Sequence, residues 1–571
     1  MNFSVINNNE QIKITCLKTE ENGIIKVLVT WHSDTAVIPE CFSVRFSFAS
    51  VDCYSVFSPA LRNGRSLERN YFPQITNSRL ASWMPLHGIV SLSGRNRGMI
   101  ALSDATNPTK ISTGVTEWGA QMECTASFFT MPTTPITDYS ATIYVDTRDI
   151  PYYDSVYDIV KWWEGNCGYT PAFVPDCARQ PVNSLWYSYH QSLEVESIIR
   201  ECRLSKELGM DTVIIDDGWQ TDVNGGYSYC GDWQVAKSKI PDMREFIDRI
   251  HETGMKAMLW YSVPYIGINS KNFDRFKSMV IKKAKEEGKV FVFDPRYKEV
   301  RDFLVETYKN AVIDWNLDGL KLDFIDRFAH DEESVKFDSR RDIQSLEEAV
   351  DVLMCSVKDT LTKIKPDIMI EFRQTYVGPS IRKYGNMFRV TDCPNDAIKN
   401  RYDVINLRLT SGKTAVHSDM LLWNKNDAVE NAALQLVSAL YSVPQVSMRI
   451  ENLPEDHIKM LRYYLAFCKE WQSVLLDGKL TANNPEALYT ICSSTLGEKA
   501  VTTVYSNVVA EINTKETVVV NATGTDSVFI KGANNKTYRV VDCMGNELWG
   551  GTFNADLQEI AVPLSGLVFI K

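Results

Sequence analysis

The sequence predicts a multidomain α/β fold in which a central (β/α)8 TIM barrel is flanked by an N-terminal β-sandwich and a small C-terminal antiparallel β-sandwich. Between residues 183 and 473, short apolar runs alternate with amphipathic helical patterns eight times, which favours a parallel barrel over an open sheet. On both sides of that region, apolar residues recur at every second position, as in half-buried strands. The chain has 571 residues, 44% of them hydrophobic, so it can build several cores.

Residues 1–155 are expected to form the N-terminal β-sandwich. The alternation of apolar and polar residues is clearest at 24–31, 42–48 and 141–146. Residues 156–182 are then expected to be a linker, because a short apolar helical pattern leads there into a loop that holds three prolines.

Residues 183–473 are expected to form the catalytic barrel. The eight predicted strands are 185–189, 212–216, 257–263, 319–324, 368–372, 387–391, 414–418 and 445–450. The intervening helices are predicted to begin near Glu194, Asp242, Phe273, Gln344, Gly378, Asp396, Asp427 and Pro454. A further apolar run at 290–294 predicts an insertion in the third unit, and residues 474–571 return to the alternation of a closing β-sandwich.

Composition and charge narrow the class of partner. The formal net charge of -11 and the absence of a basic run argue against nucleic acid or a membrane as a partner, since both favour clusters of Lys and Arg. The N-terminus lacks the basic and apolar regions of a signal peptide, so a cytoplasmic protein is expected, with a trimmed leader and a periplasmic location left open. Thirteen cysteines without a Cys-x-x-Cys pair are typical of reduced thiols.

The fourth predicted strand carries the most informative pair of side chains. Lys321 and Asp323 are two residues apart, so they share one face of the strand. At the carboxyl end of a barrel strand, Lys321 would keep Asp323 ionised, as a carboxylate nucleophile requires. The alternative is a structural ion pair without chemistry.

Polar and aromatic residues also end the other strands. They are Trp186, Asp216, Asp217, Trp260, Glu371, Arg373, Arg389, Asp392, His417 and Asp419. Aromatic rings with carboxylates suit a sugar, whose C–H faces stack on the rings while its hydroxyls need acceptors. Asp323 would be the nucleophile, and Asp392 the acid, because the charge on Asp323 would raise the pKa of Asp392. With only seven histidines in the chain, no metal and no cofactor are expected.

Three of these motifs carry a family resemblance. The segments 320–324, 215–219 and 389–392 resemble, in order and spacing, those of the α-galactosidases of glycoside hydrolase family 36. The resemblance implies a retaining exo-glycosidase that acts on terminal α-linked galactosyl residues, has a carbohydrate substrate and is a homo-oligomer. It implies Asp323 as nucleophile and Asp392 as acid/base. It further implies Asp216 and Asp217 as acceptors for the 4- and 6-hydroxyls, Trp186 and Trp260 as stacking walls, and Lys321 and Arg389 as further contacts.

The segment after strand five departs from the family. Many members have a Cys/Gly-rich segment there, whereas this chain has Glu371 to Tyr376. That region approaches carbon 2 of the sugar, so a hydroxyl and an N-acetyl group at that carbon both stay open. In the N-terminal domain, Trp83 is a candidate substrate contact.

Alternatives stay open at two levels. For single residues, Asp216 to Gly218 could be a strand-end turn, Asp396 a helix N-cap, His417 and Asp419 a bracing pair, and Glu371 and Arg373 a structural pair. For the whole protein, the alternatives are an α-N-acetylgalactosaminidase, a galactosyl transferase, a metal-dependent barrel isomerase or aldolase, and a barrel that only binds glycans.

Overall fold

A computed structural model describes residues 3–7, 9, 12–61, 67–283, 288–330 and 336–571. The strands of the N-terminal part are β1 (Phe3–Ile6), β2 (Lys13–Glu21), β3 (Ile24–Val37), β4 (Phe42–Ala49), β5 (Ser55–Phe57), β6 (Gln74–Ser78), β7 (Leu86–Val90), β8 (Asn96–Leu102), β9 (Thr109–Thr116), β10 (Gln121–Phe128) and β11 (Ile136–Asp146). They form two antiparallel sheets, of strand order β1-β4-β10-β9-β6 and β2-β3-β11-β8-β7-β5, around a core of alternating apolar residues. Helix α1 (Tyr152–Asn166) follows.

Eight parallel strands then close into a barrel. They are β12 (Val182–Ser184), β13 (Thr212–Ile215), β14 (Lys256–Ser262), β18 (Gly319–Asp323), β19 (Met369–Arg373), β20 (Met387–Arg389), β21 (Ala415–Leu421) and β22 (Val443–Val446). The predicted insertion after β14 is a three-stranded sheet of β15 (Tyr265–Gly267), β16 (Val280–Lys283) and β17 (Val290–Phe293). The helices of this region are α2 (Trp186–Tyr189), α3 (Val195–Glu207), α4 (Met243–Glu252), α5 (Phe273–Phe276), α6 (Lys298–Trp315), α7 (Leu346–Ile364), α8 (Ala397–Thr410), α9 (Val429–Ser438), α10 (Glu455–Glu470) and α11 (Gln472–Asp477).

A C-terminal sandwich completes the chain. Its strands are β23 (Lys479–Asn483), β24 (Ile491–Leu496), β25 (Lys499–Val504), β26 (Val509–Glu511), β27 (Glu516–Asn521), β28 (Ser527–Lys531), β29 (Thr537–Val541), β30 (Glu547–Thr552), β31 (Leu557–Ala561) and β32 (Leu567–Ile570). The larger sheet has the order β23-β24-β25-β27-β32-β29-β30 and the smaller sheet has the order β26-β28-β31. Most pairs are antiparallel, but β25 with β27 and β26 with β28 are parallel.

The predicted fold class is confirmed, while three predicted elements are wrong in detail. The first strand is Val182–Ser184, and the segment predicted as that strand is the short helix α2. The last strand, β22, begins two residues before the predicted one and ends at Val446. The helix predicted near Gly378 is a single 3-10 turn, Ile381–Lys383. The domain boundaries at 155, 183 and 473 stay predictions.

Helix α8 begins where the sequence predicted its cap. The Asp396 side chain accepts a hydrogen bond of 2.9 Å from the backbone N–H of Lys399, as an N-cap does. No described helix is both long enough and apolar enough to cross a membrane.

Candidate active site

Asp323 is the last residue of β18 and is almost fully buried. Its Oδ2 accepts a hydrogen bond of 2.9 Å from Trp260 Nε1. Its Oδ1 accepts hydrogen bonds from the Tyr376 hydroxyl, at 2.5 Å, and from the backbone N–H of Phe324, at 2.8 Å. These donors all stabilise the charged form of the carboxylate.

Arg373, the last residue of β19, joins the two predicted catalytic carboxylates. Its Nε lies 2.9 Å from each oxygen of Asp323. Its Nη1 lies 3.0 and 2.9 Å from the two oxygens of Asp392. Asp323 and Asp392 therefore contact the same guanidinium, and the barrel brings them together at its carboxyl end.

The pKa of Asp323 reflects two opposing effects. Burial alone would raise the pKa, but the nearby charges of Arg373 and Lys321 outweigh it and hold the pKa below its usual range. Lys321 acts from a distance, because its Nζ donates to Asp216 Oδ2 at 2.5 Å. The sequence paired Lys321 with Asp323, whereas the direct ion pair of Asp323 is with Arg373.

The prediction that Asp392 has a raised pKa is wrong for the free protein. Burial raises the pKa, but Arg389, Arg373 and Lys321 together hold it well below its usual range. Arg389 Nη2 donates to Asp392 Oδ1 at 2.8 Å. With 36% of its side chain exposed, Asp392 is more accessible than its partners Arg373 and Arg389.

Asp216 and Asp217 lie at the end of β13. The two oxygens of Asp217 accept hydrogen bonds of 2.6 Å from the side-chain amides of Gln191 and Gln220. Burial raises the pKa of Asp217 to about 6, despite these amide donors. Gly218 is required next to this pair, because its φ is +114° and a Cβ atom there would lie 2.6 Å from Gln191 Cα.

A fully buried layer supports the site from below. Arg389 forms ion pairs with Asp419 and Asp392, and its Nε lies 3.8 Å from Glu371 Oε1. Glu371 Oε2 accepts a hydrogen bond of 2.5 Å from Gln445 Nε2. The alternative pair of Glu371 with Arg373 is therefore wrong, since Arg373 points to Asp323 and Asp392. Glu371 and Asp419 are fully buried and orient cations, so neither presents an exposed group to a ligand in the free protein.

His417 was predicted to bind substrate, and its surroundings contradict this. Its Nε2 lies 2.8 Å from the carbonyl oxygen of Ala178, and its Nδ1 lies 3.3 Å from Gln445 Nε2. Ala178 precedes β12 and packs among the residues that begin the barrel strands. His417 thus points to the end of the barrel opposite Asp323 and Asp392. The alternative pair with Asp419 is wrong as well, because Asp419 contacts Arg389 and the backbone N–H of Cys393.

The aromatic residues of the site form a partly closed wall. Trp260 is buried, and its ring stacks on Tyr227 with 6.3 Å between centroids and an interplanar angle of 26°. Trp186 is half-buried and contacts His190 edge-on. Trp260 thus lies behind Tyr227 and donates a hydrogen bond to the nucleophile candidate, while Trp186 is more accessible.

Sequence reasoning missed three tyrosines. The Tyr187 hydroxyl donates to Asp419 Oδ2 at 3.0 Å, and Tyr376 donates to Asp323. Burial and then the charges of Asp217 and Asp323 raise the pKa of Tyr227, and its ring stacks on Trp260. Tyr187 and Tyr376 fall within motifs at strand ends and could have been proposed from them. Tyr227 lies in the loop after β13, where no periodic pattern identifies it.

Trp83 of the N-terminal sandwich reaches the barrel. Its backbone N–H donates to the carbonyl oxygen of Thr375 at 2.6 Å, and with Gln374 and Thr391 it lines a small cavity beside Asp392.

Among the described residues, no group of three or more His, Cys, Asp or Glu side chains is arranged to hold a metal ion.

Comparison with protein families identifies the barrel. The profile of the family described as Melibiase matches residues 180–399, from the first strand into α8. Residues 180–399 are therefore similar to the Melibiase family. The Melibiase family is a family of glycoside hydrolases.

Two curated proteins are similar to this chain. The bifunctional α-galactosidase/sucrose kinase AgaSK of Mediterraneibacter gnavus is 29% identical over 147 residues, which are 25% of this chain and 16% of that protein. The α-galactosidase AgaA of Geobacillus stearothermophilus is 22% identical over 309 residues, which are 51% of this chain and 41% of that protein. The matched part of the chain thus spans less than half the length of either relative.

The likeness in fold extends beyond the residues that match the Melibiase family. A solved structure of the family 36 α-galactosidase AgaA from Geobacillus stearothermophilus, in complex with raffinose, superposes with a TM-score of 0.68 at 14% identity. The match covers 98% of this chain and 81% of that chain, so it includes both flanking sandwiches. Together, the family match, the relatives and the fold confirm the resemblance to the family 36 α-galactosidases.

Proposed function

We propose that the chain is a retaining exo-glycosidase that hydrolyses terminal α-linked galactosyl residues of oligosaccharides or glycans by double displacement. The observation that carries the proposal is the contact of Asp323 and Asp392 with one guanidinium at the mouth of a Melibiase barrel. Asp323 is assigned as nucleophile, because charged and hydrogen-bonding partners favour its anion. Asp392, the more exposed carboxylate, is assigned as acid/base.

The reaction has two steps in this assignment. First, an oxygen of Asp323 forms a bond to the anomeric carbon while the bond to the leaving oxygen breaks and Asp392 gives that oxygen its proton. Second, water attacks the same carbon, Asp392 takes a proton from the water, and the bond to Asp323 breaks. Two inversions retain the configuration of the sugar.

The remaining predicted residues have supporting roles in this proposal. Asp216 and Asp217 would accept hydrogen bonds from the sugar hydroxyls, and Trp186 would provide an accessible ring for stacking. Lys321 and Arg389 are held by Asp216 and Asp419, so they would act mainly by fixing carboxylates in place.

The direct test combines two substrates with two variants. Aryl α-galactoside should be hydrolysed with retention, as followed by proton NMR of the first product, and faster than aryl α-N-acetylgalactosaminide. Asp323→Gly should abolish turnover, and azide should restore part of it by taking the place of the carboxylate and forming the β-galactosyl azide. Asp392→Ala should slow substrates with poor leaving groups far more than activated aryl glycosides, since only the former need the proton.

Asp326→Asn is the matched control, because Asp326 is a neighbouring carboxylate, 14% exposed, without an assigned role. Azide should not accelerate this variant. Ordinary rates in both Asp323→Gly and Asp392→Ala would show that the catalytic assignment is wrong. A preference for the N-acetylated substrate would instead support an α-N-acetylgalactosaminidase, and transfer of the sugar to an acceptor would support a transferase.

A further inference from the structure

Arg373 occupies the space between the two carboxylates of the proposed mechanism. Its Nη2 lies 2.7 Å from Asp323 Oδ2, on the same side as Nε, while Nη1 faces Asp392. Its guanidinium lies over the ring of Phe324, 5.3 Å from the centroid. Only 6% of the residue is exposed. A planar guanidinium can bind two carboxylates along two of its edges in this way, whereas an ammonium group cannot.

This arrangement disfavours a protonated Asp392. A general acid must carry a proton before the glycosidic bond breaks, and a cation in contact with both oxygens disfavours that proton. The charged and titratable groups that face Asp392 are Arg373 of β19, Arg389 of β20, Lys321 and Asp323 of β18, Asp419 of β21 and Tyr187 of α2.

Of the two arginines in contact with Asp392, Arg389 is the fixed one. Arg389 is fully buried and is held by Asp419, so its contact with Asp392 belongs to the framework of the barrel. Among the described residues, Arg373 forms ion pairs with Asp323 and Asp392 alone. Of these two partners, Asp392 is the more exposed. The contact between Arg373 and Asp392 is therefore the one that a ligand can break.

We propose that Arg373 is a positioning residue that holds Asp323 and Asp392 ionised in the free enzyme and releases Asp392 when a sugar enters between them. The released carboxylate takes one proton from solvent, and this proton later passes to the leaving oxygen. Arg373 keeps its contacts with Asp323, which stays ionised for attack on the anomeric carbon. The inference rests on the proposed function and adds that sugar binding is coupled to uptake of one proton.

The kinetic test is the pH profile of kcat/KM for Arg373→Gln on an aryl α-galactoside. Loss of this cation raises the pKa of both carboxyls in the free enzyme, so both limbs of the profile should shift upward by about one pH unit or more. The direction follows because the acid limb reports ionisation of Asp323 and the basic limb reports protonation of Asp392. Arg373→Lys should shift the limbs less, since a charge remains. A purely structural role would lower the profile without shifting its limbs.

Arg382→Gln is the matched control. Arg382 is a fully buried arginine between β19 and β20, and it pairs with Glu164 at 2.6 Å, away from both carboxylates. This variant should lose stability while its limbs keep their positions. An Arg373→Gln profile that superimposes on the wild-type profile after scaling overturns the inference.

Calorimetry with galactose tests the proton directly and does not need turnover. In buffers of different ionisation enthalpy, galactose binding to the wild type should take up about one proton, and binding to Arg373→Gln should take up clearly fewer. Only this inference fails if the wild type hydrolyses galactosides, takes up no proton on binding galactose, and has the same pH limbs as Arg373→Gln. If the wild type neither binds galactose nor hydrolyses galactosides, the proposed function fails and the inference fails with it.

Discussion

At the scale of single residues, backbone strain orients the site. Phe324 and Gln374 directly follow Asp323 and Arg373, and both have positive φ, of 65° and 57°. Non-glycine residues in this region cost roughly 1–3 kcal/mol each where the surroundings impose the conformation. At Phe324, this conformation directs the backbone N–H to Asp323 Oδ1. The carboxylate is thus held in place before any ligand arrives.

Tyr376→Phe tests the value of one donor to Asp323. The Tyr376 hydroxyl donates to Asp323 Oδ1 and accepts from the backbone N–H of Phe324, so the variant removes one bond to a charged group. Such a bond contributes about 1.5–3 kcal/mol, or roughly one to two pKa units. The Tyr376 hydroxyl is one of the groups that lower the pKa of Asp323 in the free protein, so its removal should raise that pKa. The acid limb of the pH profile of kcat/KM should therefore move to higher pH. The basic limb should stay in place, because Tyr376 does not contact Asp392.

The control for Tyr376→Phe is Tyr261→Phe. Tyr261 is also fully buried, and within the described residues its hydroxyl has no hydrogen-bond partner. Its removal should leave the pH profile unchanged. An unshifted acid limb in Tyr376→Phe, with normal folding by circular dichroism, would contradict the role given to this hydroxyl.

The sequence predicts which side chains share a strand face, because that follows from the two-residue period. This period places Lys321 and Asp323 on the same face of their strand. It could not identify their partners, because Asp216 and Arg373 come from other strands and their approach depends on the register of the closed barrel. For the same reason it predicted the wrong direction for the pKa of Asp392, since two arginines from adjacent strands dominate there.

At the scale of elements, the loop after β19 depends on the N-terminal sandwich. Trp83 N–H donates to Thr375 O, and Ser380 Oγ donates to the carbonyl oxygen of Ala105 at 2.9 Å. This loop carries Tyr376, so the sandwich holds a donor to Asp323 in place. A Cβ atom on Gly378 would lie only 2.2 Å from the carbonyl oxygen of Trp83. The close approach of the two backbones explains why a glycine occupies this position.

Gly378→Ala should therefore weaken both stability and activity. The added methyl group forces the loop away from Trp83, with an expected cost of about 1–3 kcal/mol, and displaces Tyr376. The melting temperature and kcat/KM should both fall. Gly165→Ala is the control, because Gly165 is exposed near the end of α1 and its added Cβ would meet no atom within 4 Å. This substitution should raise stability by about 0.5–1 kcal/mol. Equal changes in melting temperature and kcat/KM in Gly378→Ala and Gly165→Ala would contradict the close approach of Gly378 to Trp83.

The elements that the sequence located poorly are short. The strand β12 has three residues, Val182, Asn183 and Ser184, and two of them are polar but buried. An apolar pattern therefore pointed to the residues that follow, which form the first helical turn of the barrel. Several of the longer helices were predicted well, because α4, α7 and α8 each begin at a side chain that accepts a hydrogen bond from the first turn.

At the scale of the whole molecule, the three parts of the chain are joined by buried polar contacts. The Tyr152 hydroxyl of α1 donates to the carbonyl oxygen of Ala482 in β23 at 2.9 Å. From the N-terminal sandwich, Arg79 donates to the carbonyl oxygens of Phe328 and Asp326, in the loop that follows Asp323. One apolar core runs through the barrel and into both sandwiches. The N-terminal sandwich is therefore part of the scaffold of the site, although its own pattern gave no sign of this.

Arg79→Met tests this long-range support. Arg79 also offsets the charges of Asp326 and Glu347, two buried carboxyls whose pKa values are raised mainly by burial. Its loss leaves two carbonyls without their donor and removes one of the cations near each carboxyl, which should cost about 3–5 kcal/mol. We expect a lower melting temperature together with a lower kcat/KM, because the displaced loop begins next to Asp323, the proposed nucleophile. Arg95→Met, which breaks the exposed ion pair with Asp149, should change stability by less than about 1 kcal/mol. If Arg79→Met loses stability but keeps full kcat/KM, the sandwich stabilises the protein without shaping its active site.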